Sequence, residues 1–268
     1  MSADRSGDVE IVATDRPGSF LVRCDGRDQS LVDLGDPTRL AFDYVRRMGD
    51  VIDAAAAPER PLRVLNIGGA GLTLPRYVAA TRPGSRQVVL EPDEALTARV
   101  RAELPLPRRS GIRVRPVDGR AGLAEIRDGS CDLVVLDAYR DGRVPAELLT
   151  LECCDQVARV LGAQGTFLAN LSDRAPFPSV RSMVTGLRRL FGELVVGAEP
   201  ATLRGRRAGN LLVVATFART PASALVRGAA VSAAPYRVLT GAQVNDSFGG
   251  GVPLHDAGRG PAAGSGPG

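Results

Sequence analysis

The segment VLNIGGAGLTLPR runs from an apolar stretch through three glycines, Gly68, Gly69 and Gly71, into a helical pattern. Glycine lets the backbone turn sharply and lets a ligand approach the amides and the positive end of the following helix. Glu91 stands at the end of the next apolar run, QVVLEP. A carboxylate there can accept both hydroxyls of a ribose. Asp118, followed by Gly119 in VDGR, closes the third run, where a carboxylate can accept from an adenine amino group. The pattern predicts nucleoside binding by Gly68, Gly69, Gly71, Glu91, Asp118 and Gly119. A GxG turn alone is often only a tight loop; acids at the next two strand ends make this one more specific. A dinucleotide fingerprint would need a third small residue where Leu74 stands, with Pro75 next to it, so close helix packing on NAD is not provided for.

Composition removes much other chemistry. The 268 residues hold one histidine, His255, which leaves no material for Ser-His-Asp triads, Cys-His dyads or poly-His metal sites. The four cysteines, Cys24, Cys131, Cys153 and Cys154, form no CxxC pair and read as reduced thiols. Carboxylates show no EF-hand spacing, so a metal-free mechanism is expected. All 34 basic residues are arginine, and the absence of lysine excludes a Schiff base. The net charge of +4 raises nucleic-acid binding as a reading. The arginine pairs are scattered, however, and 4% aromatics give no stacking platform, so no nucleic acid is expected as a partner. No apolar run reaches the roughly 18–20 residues of a membrane helix. The polar start MSADRSGDVE predicts no signal peptide, no membrane partner and a cytoplasmic location.

The elements that must hold these residues follow from periodicity. Residues 9–34 give VEIVA, FLVRC and SLVDL between the turns DRPGS and DGRD, a small antiparallel meander. Asp36-Pro37-Thr38 is expected to open a helix over RLAFDYVRRMGDVIDAAA. From residue 62 strands alternate with helices, and the strands are continuous apolar runs, as in a parallel sheet covered on both faces. This predicts an α/β fold with a doubly wound, mostly parallel sheet, one antiparallel strand being inserted near ELVVGAE and NLLVVATF. The expected divisions are an N-terminal β-hairpin region at 1–35, a Rossmann-like nucleoside-binding domain at 36–220, a C-terminal extension at 221–255 and a disordered tail at 256–268. Cys153-Cys154 is expected in the core, and Arg204, Arg206 and Arg207 in a solvated loop.

The double glycine, Glu91 and Asp118 resemble the S-adenosyl-nucleoside site of the seven-stranded methyltransferase fold. The stretch FLVRCDGRDQSLVDLGDPTRLAFDYVRRM is similar to the N-terminal β region and Tyr-bearing helix of spermidine synthases, with their leucine, Asp-Gly, Gln hairpin. CDLVVLDAYRDGRVPAELLTLECCDQVARVLGAQGTFLANL is similar to a later stretch of the same family. The resemblance, to a divergent branch of the polyamine aminopropyltransferases, covers roughly residues 18–216.

It implies decarboxylated S-adenosylmethionine or S-adenosylmethionine as co-substrate, no metal, a small-molecule amine acceptor and a homodimer. Asp137 and Asp141 become candidates for orienting and deprotonating the amine, and Tyr44 and Tyr139 for lining its pocket. Three substrate-handling positions depart from the family. Ala70 replaces an Asp in the Gly-rich turn, Arg140 replaces the second acid of the loop after Asp137, and Val45-Arg46 replaces His-Glu after Tyr44. An arginine beside a cationic substrate is unfavourable: a like-charge pair at about 4 Å costs about 4 kcal/mol at an effective dielectric of about 20. Methyl transfer from the same sulfonium, and a nucleoside-binding relative without catalysis, therefore stay open beside aminopropyl transfer.

Overall fold

The computed structural model describes residues 8–217, 222–230 and 235–256. The chain opens with β1 (Val9–Ala13), β2 (Ser19–Cys24) and β3 (Arg27–Asp33), then α1 (Asp43–Ala54), β4 (Arg63–Ile67) and α2 (Thr73–Thr81). It continues through β5 (Arg86–Leu90), α3 (Glu94–Glu103), β6 (Ile112–Arg115), α4 (Gly119–Ala124) and β7 (Cys131–Leu136). A 3-10 turn at Ala146–Leu148 precedes α5 (Leu151–Val160), β8 (Leu161–Asp173), α6 (Pro178–Arg188) and β9 (Glu193–Ala198). The described part closes with α7 (Pro200–Leu203), β10 (Gly209–Thr216), α8 (Ala222–Ala230), β11 (Arg237–Thr240) and α9 (Ala242–Phe248).

β1, β2 and β3 form a separate antiparallel meander, and the other strands form one sheet in the order β11-β9-β10-β8-β7-β4-β5-β6. β4 pairs in parallel with both β5 and β7, and β7 with β8. β10 is the inserted strand, antiparallel to β8 and to β9. Among the described residues the sheet thus has eight strands where the resemblance implied seven, because β11 adds to its edge against β9. That strand was not legible in the segment after residue 220.

The unbroken apolar runs serve two cores. Leu65 and Ile67 of β4 face one cluster with α5 and α6, while Val64 faces another with α1 and α2. β7 divides likewise, with Val134 and Leu136 on one side and Leu133 and Val135 on the other. Each fully buried side chain of this kind is worth about 1.5–3 kcal/mol, so the strand ends that carry the site are held rigidly. Cys153 and Cys154 lie in the first core, as expected, and Arg204, Arg206 and Arg207 are exposed.

Two helical expectations change. α1 begins at Asp43 and not near Asp36, because Asp36 Oδ1 is engaged locally by the Thr38 amide at 3.1 Å and its hydroxyl at 2.5 Å. The run PAELLTLECCDQVARVL breaks at Thr150, whose hydroxyl caps α5 by accepting the Cys153 amide at 3.2 Å. The inner face of the meander, Val9, Val22 and Val32, packs on Leu96 and Val100 of α3, on Leu104 just past its C-terminus and on Leu72.

The Gly- and Pro-rich residues 257–268, expected to be disordered, lie outside the described residues. Asp256 is held by Thr150 and Arg120, each at 2.8 Å. Among the described residues no helix is long and apolar enough to cross a membrane.

Candidate active site

The strand order reverses between β4 and β7, and at their C-terminal ends opens a cavity of about 1370 Å³. Such a switch point is where open α/β sheets take ligands. Gly68, Gly69, Glu91, Asp118, Gly119, Tyr44, Asp137, Tyr139 and Asp141 all line it. Gly71 does not. Its amide donates to Ser30 Oγ at 3.1 Å, and a Cβ there would stand 2.8 Å from Ser30 Cβ, so this glycine admits the meander and not a ligand. Gly68 is the tightest point: its φ is 94°, and a Cβ would stand 2.3 Å from the carbonyl oxygen of Asp137. Only glycine lets the loops after β4 and β7 meet.

At one end of the cavity the acids are tied to backbone. Glu91 Oε2 accepts the amides of Gly69 (2.8 Å) and Ala70 (3.3 Å), and Oε1 accepts the amide of Asp93 (3.1 Å). The carboxylate therefore shapes the Gly-rich turn and keeps about one of its roughly four acceptor sites free. Asp118 Oδ1 caps α4 through the amides of Arg120 (2.8 Å) and Ala121 (3.3 Å), leaving Oδ2 toward Arg140 at 3.8 Å.

The other end is built around Asp137. Burial pushes its carboxyl up to about 6, against the opposing effect of a 2.9 Å hydrogen bond donated by Asn170 Nδ2 to Oδ1. Tyr139 OH donates to the backbone oxygen of Asn170 at 3.1 Å. Desolvation, reinforced by the charge of Asp137, raises the phenols of Tyr44 and Tyr139 well above their ordinary range, so both remain neutral. Asp141 is exposed, at φ 54°. Asn170 and Asn66 escaped the sequence reading. Asn66 is buried on the cavity wall with Nδ2 unpartnered, and each is a polar interruption of an apolar strand, which was the available signal.

No protein-family model matches the chain. A polyamine aminopropyltransferase of Chromobacterium violaceum is 27% identical over 143 residues, 53% of this chain and 53% of that protein. The match thus spans about half the length of that curated relative. The crystal structure of a probable spermidine synthase from Corynebacterium glutamicum superposes with a TM-score of 0.87 at 26% identity, covering 94% of both chains. The chain is spermidine synthase-like. Its fold is of the methyltransferase type: human methyltransferase-like protein 13, solved in complex with SAH, aligns at TM-score 0.53 and 19% identity over 69% of this chain and 85% of that one.

In this spermidine synthase-like chain the three departures are unequal. Ala70 lines the cavity and brings no charge. Arg140 lines it too, with its guanidinium bound by Glu147 at 3.1 Å and lying 3.8 Å from Asp118. Arg46 turns aside, donating to the carbonyls of Leu40 and Ala41 at 3.4 and 3.3 Å.

Proposed function

We propose that the chain is a transferase that binds an S-adenosyl nucleoside and moves an aminopropyl group to a small-molecule amine. Asp137 carries this reading: it is a desolvated carboxyl raised to about 6, held in orientation by Asn170 and flanked in the cavity by two neutral tyrosines. A base with that affinity is largely ionised at neutral pH yet takes a proton readily. The name of the Chromobacterium relative supports the group transferred.

In the proposed step the acceptor nitrogen attacks the carbon beside the sulfonium. The new C–N bond forms as the C–S bond breaks, the electron pair goes to sulfur, and a neutral thioether nucleoside leaves. The proton released by the amine passes to Asp137. Glu91 holds the ribose through its remaining acceptor site, Asp118 Oδ2 faces the adenine amino group, and Gly68, Gly69 and Gly119 allow close approach. Tyr44 and Tyr139 wall the acceptor, with Asp141 at the rim. The close approach of the Asp137 carbonyl to Gly68 sets the acid's loop beside the Gly-rich turn, which supports a role for Asp137 near the sulfonium; proximity of that kind supplies much of a transfer enzyme's rate.

A second reading, methyl transfer from intact S-adenosylmethionine, is favoured by Ala70, which offers the propylamine no counter-charge. Calorimetry with the two sulfonium ligands side by side tests both. Aminopropyl transfer requires the decarboxylated ligand to bind at least as tightly as the intact one and to be consumed with an amine. Preference for the intact ligand supports methylation, and binding without turnover in either case supports a relative that has lost catalysis.

A further inference from the structure

Asp25 (φ 51°) and Gly26 (φ 69°) are both left-handed, the conformation of a tight two-residue hairpin turn, here between β2 and β3. Arg27 follows at once, on the exposed rim of the cavity. Its guanidinium lies over the loop after β7: a Cβ built on Gly142 would stand 2.9 Å from Arg27 Nη1.

Arg27 and Arg140 are the two arginines among the residues lining the cavity. Arg140 is compensated by Glu147 and Asp118. Arg27 makes no ion pair among the described residues, and neither does Asp141, next to Gly142 on the same rim. Deeper in, the one carboxylate flanked by both tyrosines is Asp137. The acceptor end therefore presents an interior acid and a rim on which, among the described residues, Arg27 and Asp141 each lack an ion pair, as do Asp25, Asp93 and Glu94 elsewhere on the lining.

A planar guanidinium without a counter-ion binds carboxylate through paired N–H donors and repels a second ammonium. We infer that the acceptor is a diamino acid: its side-chain amine reacts beside Asp137, its carboxylate is held by Arg27, and its α-ammonium sits by Asp141. This rests on the transferase reading above and narrows the acceptor from any amine to one bearing an anionic group. A simple diamine would offer Arg27 no anion of its own and would bring a like charge to it.

The test is calorimetry on the full chain saturated with 5′-methylthioadenosine, the thioether that aminopropyl transfer leaves behind. The probes are ornithine and 1,4-diaminobutane, the same carbon chain with and without a carboxylate. Ornithine is expected to bind more tightly by about five- to tenfold, the range of one charged hydrogen bond near the surface. Arg27→Gln, at an exposed hairpin position, should bring the two amines within about twofold of each other and leave methylthioadenosine affinity unchanged. Diaminobutane binding as tightly as ornithine, ornithine failing to bind, or a preference that survives Arg27→Gln would each overturn the inference. Failure of methylthioadenosine itself to bind is a different result. It removes the transferase reading, and this inference with it.

Discussion

The two ends of the cavity use the same side chain, a carboxylate, under opposite physical conditions. At the Gly-rich end Glu91 and Asp118 accept backbone amides, three for Glu91 and two for Asp118. Such bonds fix the loops that carry the two acids. At the other end Asp137 has one side-chain donor and is desolvated, which favours the neutral form. The first arrangement suits a fixed acceptor of hydroxyls and amines. The second suits a group that exchanges a proton. Position in the fold does not make this difference, since all three acids follow strands of one sheet; the local supply of N–H donors does.

Replacing the acid at the proton-exchanging end should have the largest effect. Asp137→Asn keeps the shape and the contact with Asn170 but removes the base, so transfer should fall by about 10²- to 10⁴-fold. Nucleoside affinity should stay within about twofold, as for a group that acts only in the transition state. Because the carboxyl is raised from 3.8 to about 6, its base form accumulates through that value, and the wild-type rate should rise with pH and level off above about 6. The sign for stability is the reverse. A carboxyl whose folded pKa is raised holds its proton longer in the folded chain than in the unfolded one. Its contribution is present in full below 3.8 and is lost as pH climbs through about 6. Denaturant titrations should therefore show wild type losing stability relative to Asp137→Asn across that window. A flat difference, or a rate limb without an inflection near 6, would mean that Asp137 titrates like an exposed acid and the contrast between the ends is absent.

The Gly-rich end was the more legible one in sequence, for a physical reason. Its function depends on local backbone: glycines that must turn and acids that must stand at strand ends, both set by spacing. Glu91, Asp118, Gly68 and Gly69 accordingly come together on the lining of one cavity. What spacing could not reveal was Gly71 beneath the meander, or Glu91 serving as an anchor for the turn itself, since both depend on contacts across the fold. The acceptor end is assembled from α1, the loop after β7, β8 and the hairpin, remote in sequence. Asn170 shows in sequence only as a polar break in an apolar run, and no local pattern marks Arg27, which the fold sets over Gly142.

Glu91→Ala probes the anchored end. Loss of charge-assisted bonds should weaken nucleoside binding by about 2–4 kcal/mol. Because the amides of Gly69, Ala70 and Asp93 lose their acceptor together, the melting temperature should fall as well. Nucleoside affinity within about twofold of wild type, together with a lowered melting temperature, would leave Glu91 as an anchor only. The anchored end would then hold its ligand by shape and by Asp118.

The smallest expected effect tests the boundary between the two ends. Ala70 stands in the Gly-rich turn at φ 36°, lines the cavity, and donates its amide to Glu91. Aspartate tolerates left-handed backbone better than alanine, so Ala70→Asp should relieve local strain and not add to it. The introduced carboxylate meets the charge of Glu91 nearby, which lowers affinity for every ligand of the turn alike. The ratio of two ligands cancels that common cost. Decarboxylated S-adenosylmethionine ends in a cationic propylamine, whereas the intact form adds a carboxylate that the new acid repels. Calorimetry should therefore show the ratio moving toward the decarboxylated ligand by about 1–3 kcal/mol, the scale of a charged hydrogen bond. Transfer to an amine should rise with it only if Asp137 already serves the acceptor, which couples this result to the first prediction. An unchanged ratio would mean that the turn does not face the ligand's tail, and that residue 70 belongs wholly to the anchored end.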